Sequence, residues 1–168
     1  PEDVKALEDL RPVSDRFNYL PFARGITPIV RRSHVALPAG NLVMPLGDTG
    51  IGYDPIAGQG YNSAARHSKW MADAILERGA GSFDRGWAAS VFDGFWEDHG
   101  RWACEWNNLM LKGLPPAAGT ALQHAAANPD FADMMFNDYF QPKGLMTWIT
   151  DMDLVQQKIA AHAHQNTH

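Results

Sequence analysis

Cysteine is nearly absent from this chain. The single thiol, Cys104, cannot close an internal disulfide, which suits a reducing, cytoplasmic setting. Long apolar runs are missing too. Nothing approaches the ~20 residues that a membrane-spanning helix needs, and no basic-apolar leader opens the sequence. A soluble protein with no membrane partner is expected. There is no basic excess, the net charge being -5, which argues against nucleic acid as a partner. No repeat, low-complexity tract or interdomain linker breaks the sequence. Metal ligands are sparse: His162, His164 and His168 gather near the end, but no Cys or carboxylate completes a ligand set. A frayed polar end and no metal are expected there. Two further absences concern the beginning: the chain opens at Pro1 without Met, and no Gly-x-Gly-x-x-Gly stretch precedes Gly47.

What is present is enough for a sizeable core. The chain has 168 residues, 45% of them hydrophobic, with 11% aromatics and six Trp, which fits one domain with large apolar contacts. Its organising stretch is 47–62, GDTGIGYDPIAGQGYN. An apolar run at 42–46 precedes it and a helical pattern from Asn62 follows, so it reads as strand, glycine-rich loop, helix. That is the layout of an anion or cofactor cradle. Asp48 stands at the predicted strand end, where a carboxylate can accept from a sugar hydroxyl. Gly58, Gln59 and Gly60 are expected to open the helix with free N–H groups at its positive dipole end. A dinucleotide fingerprint over 58–63 is rejected, because Ser63 occupies the last small position and no apolar strand runs directly into it. A plain glycine-rich turn is the alternative.

The remaining pattern is mostly helical. A short helix is predicted over 1–10 and a second, broken by Pro21, over 11–23. Between Gly25 and Leu46 the pattern turns to β: Ile26, Ile29 and Val30, then Val35 and Leu37, a turn at 38–41, and Leu42 to Met44. Arg31, Arg32 and His34 are read as strand surface residues. Helices follow over 62–78, with a stripe of Ala64, Ala65, Ser68, Met71, Ala72, Ile75 and Leu76, and over 83–111. In the first, His67 and Lys69 lie off the stripe and are read as exposed. The second carries Trp87, Val91, Phe95, Trp102, Trp106 and Leu109, read as interhelical core in preference to a pocket wall. Cys104 is expected to be buried. Shorter helices are predicted over 117–127, 129–139 with Asn128 as cap, 142–149 and 151–162.

The residues in the loop suggest a family. Gly47-Asp48, then Pro55, then Gly58-Gln59-Gly60-Tyr61-Asn62 resembles the second flavin-contacting motif of FAD-dependent aromatic monooxygenases. Within that group, Asp-Pro-Ile-x-Gly-Gln-Gly at 54–60 looks most like the styrene and indole monooxygenases, the epoxidase components of two-component systems. Thr49, Gly50 and Ile51 replace the Ala-Ala-His of the common hydroxylases, which fits the styrene-type branch.

The resemblance implies an α+β, mostly helical fold: the C-terminal portion of an FAD-dependent aromatic-monooxygenase-like fold, with a β-hairpin, Gly-rich loop, long helix and helical C-terminal region. Residues 1–46 would close a substrate-side sheet and return the chain, 47–80 would form the FAD loop and helix, and 81–168 the helical region. It implies FAD as cofactor, held by Gly47, Asp48, Pro55, Ile56, Gly58, Gln59, Gly60 and Asn62. Asp48 would hold the ribityl hydroxyls, the N–H groups of 58–60 would stabilise charge near flavin N1 and O2, and Pro55 and Ile56 would lie at the flavin edge. It implies transfer of one oxygen atom from a C4a-peroxyflavin to an aromatic alkene such as styrene or indole. The partners implied are an NADH-dependent flavin reductase, a missing N-terminal portion of the FAD domain and a small aromatic substrate, with a homodimer left open. This segment alone is expected to be inactive. A single-component FAD aromatic hydroxylase and a noncatalytic helical interaction module remain alternatives.

Overall fold

The computed structural model describes residues 27–165, with side chains through 163. The helices read over 1–10 and 11–23, and His168, lie outside the described residues.

Two short antiparallel pairs precede the helices. Strand β2 (Val35–Ala36) pairs with β3 (Leu42–Val43), as the turn at 38–41 predicts. Gly40 at φ 83° closes that turn, whose ends are joined by Leu37 N–H to Asn41 O at 2.8 Å. Strand β1 (Ile29–Val30) pairs instead with β4 (Ile51–Gly52), inside the glycine-rich stretch. The expected strand over 42–46 therefore stops early, and a second strand appears within the loop. Ile51 is buried and pins β4 to the aromatic core.

A 3-10 turn, Gly47–Thr49, lies before β4 and another, Pro55–Ala57, after it. The second is built from its sequence. Pro55 fixes the first torsion, and the Asp54 carboxylate accepts from Ile56 N–H at 2.8 Å. Gly58, at φ 58°, then reverses the chain into helix α1 (Gln59–Arg78). A Cβ at Gly58 would lie 3.1 Å from the Tyr139 hydroxyl. Gly58→Ala is therefore expected to lose about 1–2 kcal/mol through left-handed backbone strain. An unchanged urea midpoint would refute this.

Helices α2 (Arg85–Phe95) and α3 (Arg101–Lys112) form one rod, as the 83–111 pattern predicts, but a π-helical segment, Trp96–Gly100, joins them. Gly100 passes so close to β4 that a Cβ there would stand 2.8 Å from Ile51 Cδ1. Asp84 caps α2 by accepting from Trp87 N–H at 2.9 Å. Prolines then start α4 (Pro116–Ala127), α5 (Pro129–Tyr139) and α6 (Pro142–Met146). Helix α7 (Met152–Gln165) is capped by Asp151, which accepts from Asp153 and Leu154 N–H. Asn128 holds the cap position before α5, but its side chain turns back to donate to His124 O at 2.9 Å and caps nothing.

Two cores result. Phe131, Leu145, Trp148, Ile149, Trp106 and Val155 fill the helical end. Ile51, Phe92, Phe95 and Cys104 fill the smaller one beneath the loop. The aromatic pattern of the rod is thus largely packing, and Cys104 is buried as expected, its thiol pushed up to about 12 by that burial.

The stripe read along α1 is corrected. Its buried residues are Gln59, Ser63 and His67, one polar row at i, i+4, i+8, whereas Ile75 and Leu76 are 45% and 78% exposed. The polar row goes inward because each member finds a hydrogen-bond partner there. His67 in particular is 1% exposed.

Candidate functional site

The glycine-rich stretch is held from three directions. Just after β1, Arg31 donates its N–H to Gly50 O at 2.9 Å and its guanidinium to Asp48 O at 2.8 Å. From α1, His67 Nδ1 accepts Gly47 N–H at 3.3 Å. From α3, Asn107 Oδ1 accepts Asp54 N–H at 2.8 Å and its amide donates back to Asp54 O at 3.5 Å. The end of α5 completes the frame: the Tyr139 hydroxyl donates to Ala57 O, Gln59 Nε2 donates to Tyr139 O at 3.0 Å, and Asn62 Nδ2 donates to Phe140 O at 3.1 Å.

These bonds divide the sequence-predicted residues into two groups. Gln59 and Asn62 face the protein; they bond each other at 3.0 Å and tie the loop to α5, leaving Gln59 only its backbone for a ligand. Asn62 thus ties the start of α1 to the end of α5. Asp48, Pro55, Ile56 and Gly58 are exposed, with Ile56 at 50%. The Asp48 carboxylate reaches over Gly60, with Oδ1 3.8 Å from where a Cβ on that residue would stand. The free donors are fewer than expected, since Gly58 N–H is taken by Pro55 O at 2.9 Å. No side chain caps the first turn of α1, so the amides of Gln59 and Gly60 stand at its positive end.

Beneath the loop lies a polar cluster that the sequence pattern did not single out. Ser63 Oγ and His99 Nε2 are 2.7 Å apart and both buried. His67 stacks on Phe95 at 4.2 Å, nearly parallel, and its Nε2 has no partner among the described residues. Burial, reinforced by the Arg66 charge, lowers His99 to about 4. Burial likewise lowers His67 below the ordinary histidine value. The Tyr53 hydroxyl, also buried, is pushed well above the usual phenol range by desolvation. The sequence signal for these residues was the i, i+4 spacing of Ser63 and His67 with a second histidine on the facing rod.

Arg31 also exceeds its reading as a surface residue, because it buttresses the Asp48 turn. Arg32 is exposed, His34 bonds Ser33 at 3.1 Å, and Lys69 pairs with Asp73 at 2.6 Å. Among the described residues no trio of His, Cys, Asp or Glu could hold a metal, and no helix is long and apolar enough to cross a membrane. Of the aromatic pattern, Trp87 lines a groove of about 650 Å³ together with Leu42, Leu46, Met71, Ile75 and Phe83.

No protein-family model matches the chain. It is similar to styrene monooxygenase StyA of Pseudomonas fluorescens, 29% identical over an alignment of 131 residues that covers 71% of this chain and 29% of that protein. Styrene monooxygenase StyA of a Pseudomonas species is 28% identical over an alignment of 130 residues, again covering 71% of this chain and 29% of the relative. The matched segment thus spans under a third of these curated relatives.

Proposed function

We propose that this chain carries part of the cofactor cradle of a flavin-dependent monooxygenase of the styrene-epoxidising kind. The observation that carries the reading is the Asp48 turn: a solvent-facing carboxylate, braced by Arg31 and His67, beside a side-chain-free Gly60 and an uncapped helix end. The donor set fits a flavin. A carboxylate accepts from polyol hydroxyls, and helix N–H groups favour an electron-rich or anionic edge. Likeness to two styrene monooxygenases supports the same group.

In this reading Asp48 holds hydroxyls of FAD, the amides of Gln59 and Gly60 face its electron-rich ring edge, and Pro55 and Ile56 cover its apolar side. Gly47 and Gly58 shape the turns, while Gln59 and Asn62 act through their side chains to fix the loop. Bound reduced flavin supplies the activation of oxygen; the chain binds it, orients it and keeps water away. The substrate is a small aromatic alkene such as styrene or indole. The partners are an N-terminal portion of the FAD domain and an NADH-dependent reductase. Ile75, Leu76, Val30, Val35 and Val43 are each exposed, apolar surface suited to contact with that N-terminal portion. Among the described residues, those before 47 act as the end of the substrate-side sheet and return strand, 47–80 as FAD loop and helix, and those from 81 onward as helical support.

The test is FAD titration of the chain together with its N-terminal portion. Asp48→Ala is expected to weaken binding by about 1.5–3 kcal/mol, the value of a hydrogen bond to a charged group. Equal affinity in the variant would remove Asp48 from the site.

A further inference from the structure

His67 is a buried titratable group whose surroundings fix its tautomer. Its Nδ1 accepts the Gly47 N–H at 3.3 Å, so the ring proton resides on Nε2. Stacking on Phe95 at 4.2 Å and an edge contact with Phe92 at 6.1 Å hold the ring plane. Gly47, at φ 56°, lies against α1, and a Cβ on it would be 3.1 Å from Ala64 Cβ. The next residue is Asp48. One hydrogen bond therefore separates a buried imidazole from the exposed carboxylate of the cradle.

We infer that His67 is a positioning residue of the cradle: its neutral ring sets the turn that presents Asp48, and a proton on Nδ1 repels the Gly47 N–H and releases that turn, so flavin affinity falls in acid. This rests on the flavin reading. The physical reason is that an imidazolium has two donors and no acceptor, so the contact with Gly47 becomes donor against donor. The groups around the ring do not offset the charge. The titratable group that interacts with His67 is His99, from the π-helical segment, which is itself basic. Burial is the cause that lowers His67, and no carboxylate raises it.

The experiment measures FAD affinity, by flavin fluorescence, of the chain assembled with its N-terminal portion from about pH 8 to about pH 5.5, above the range where ordinary carboxylates titrate. Wild type is expected to lose affinity only as pH falls below the lowered His67 value, by a factor approaching about tenfold for each pH unit beyond it. His67→Asn places a non-titrating amide oxygen near the Nδ1 position. It is expected to bind FAD near the wild-type level at neutral pH and to abolish the acid loss. His67→Phe keeps the stack without the acceptor and is expected to bind weakly at every pH. An acid loss that persists in His67→Asn, or wild-type affinity in His67→Phe, overturns the inference. If wild type binds no FAD at any pH, the flavin reading fails. The positioning claim is then decided by the Gly47 amide resonance of the unliganded protein. It must follow the His67 titration, and an amide that ignores it overturns the claim independently.

Discussion

Replacing Phe95 with alanine is expected to cost about 3–5 kcal/mol of folding stability, the range for a fully buried phenylalanine, and, under the proposed flavin function, to weaken cofactor binding as a secondary effect. Phe95 is among the largest fully buried side chains. It lies in the small core with Ile51, Phe92 and Cys104, and its ring contacts His67 at 4.2 Å, His99 at 5.6 Å and Trp70 at 6.3 Å. Truncation would leave a void bordered by two imidazoles and the Trp70 ring, so the loss includes the cavity and also the support of the polar cluster. Because Ile51 belongs to the loop strand, the void opens directly beneath the cradle. Phe95→Leu, which keeps most of the volume, should recover most of the stability. Urea denaturation measures both, and a loss below about 1 kcal/mol in Phe95→Ala would mean that the aromatic stack carries little of the fold.

How much of this was legible in the sequence depends on which physical signal was available. Turn chemistry was readable. Pro116, Pro129 and Pro142 mark three helix starts, Asp151 caps a fourth, and the turn at 38–41 joins β2 to β3. Gly58 at its positive torsion was legible too, because few residues but glycine tolerate that region. Burial along α1 was not. Amphipathic reading assumes that apolar residues face inward. Here a polar row of Gln59, Ser63 and His67 is inside, since Tyr139 O, His99 and Gly47 N–H satisfy it. The apolar residues Ile75 and Leu76 remain on the surface. Strand β4 escaped notice because a two-residue strand in a glycine-rich loop has no alternation to detect. The π-helical segment left the hydrophobic pattern of the rod readable as one helix. Its Gly100 lies against Ile51, a contact about 50 residues away in sequence that no local pattern announces. Arg31 was undecidable for a similar reason: a pair of arginines on a strand does not say which carbonyl one of them will reach.

Acid is expected to weaken the fold well before its carboxylates are protonated, chiefly through His99. Burial holds this histidine at about 4 in the folded chain, against an ordinary value of 6.5. The sign follows from proton uptake. As pH falls below about 6.5 the unfolded chain gains a proton that the folded chain refuses, so stability drops. The contribution is complete above that value and is lost as pH falls toward the folded value. A shift of this size corresponds to about 3 kcal/mol, and the lowered His67 adds in the same direction. The cost is structural in origin. His99 lies in the π-helical segment against Ser63 Oγ, with Phe95 beside it and Arg66 nearby, and none of these groups offers a carboxylate to offset a charge. Asp98, the neighbouring acid, raises the value less than burial lowers it. His99→Gln keeps a polar partner for Ser63 and cannot titrate. In urea melts between about pH 7 and about pH 4.5, wild type should lose most of that stability while His99→Gln loses distinctly less, keeping only the slope that His67 contributes. Parallel slopes for the two proteins would move the acid sensitivity to other groups and leave His99 a neutral spectator of the cluster.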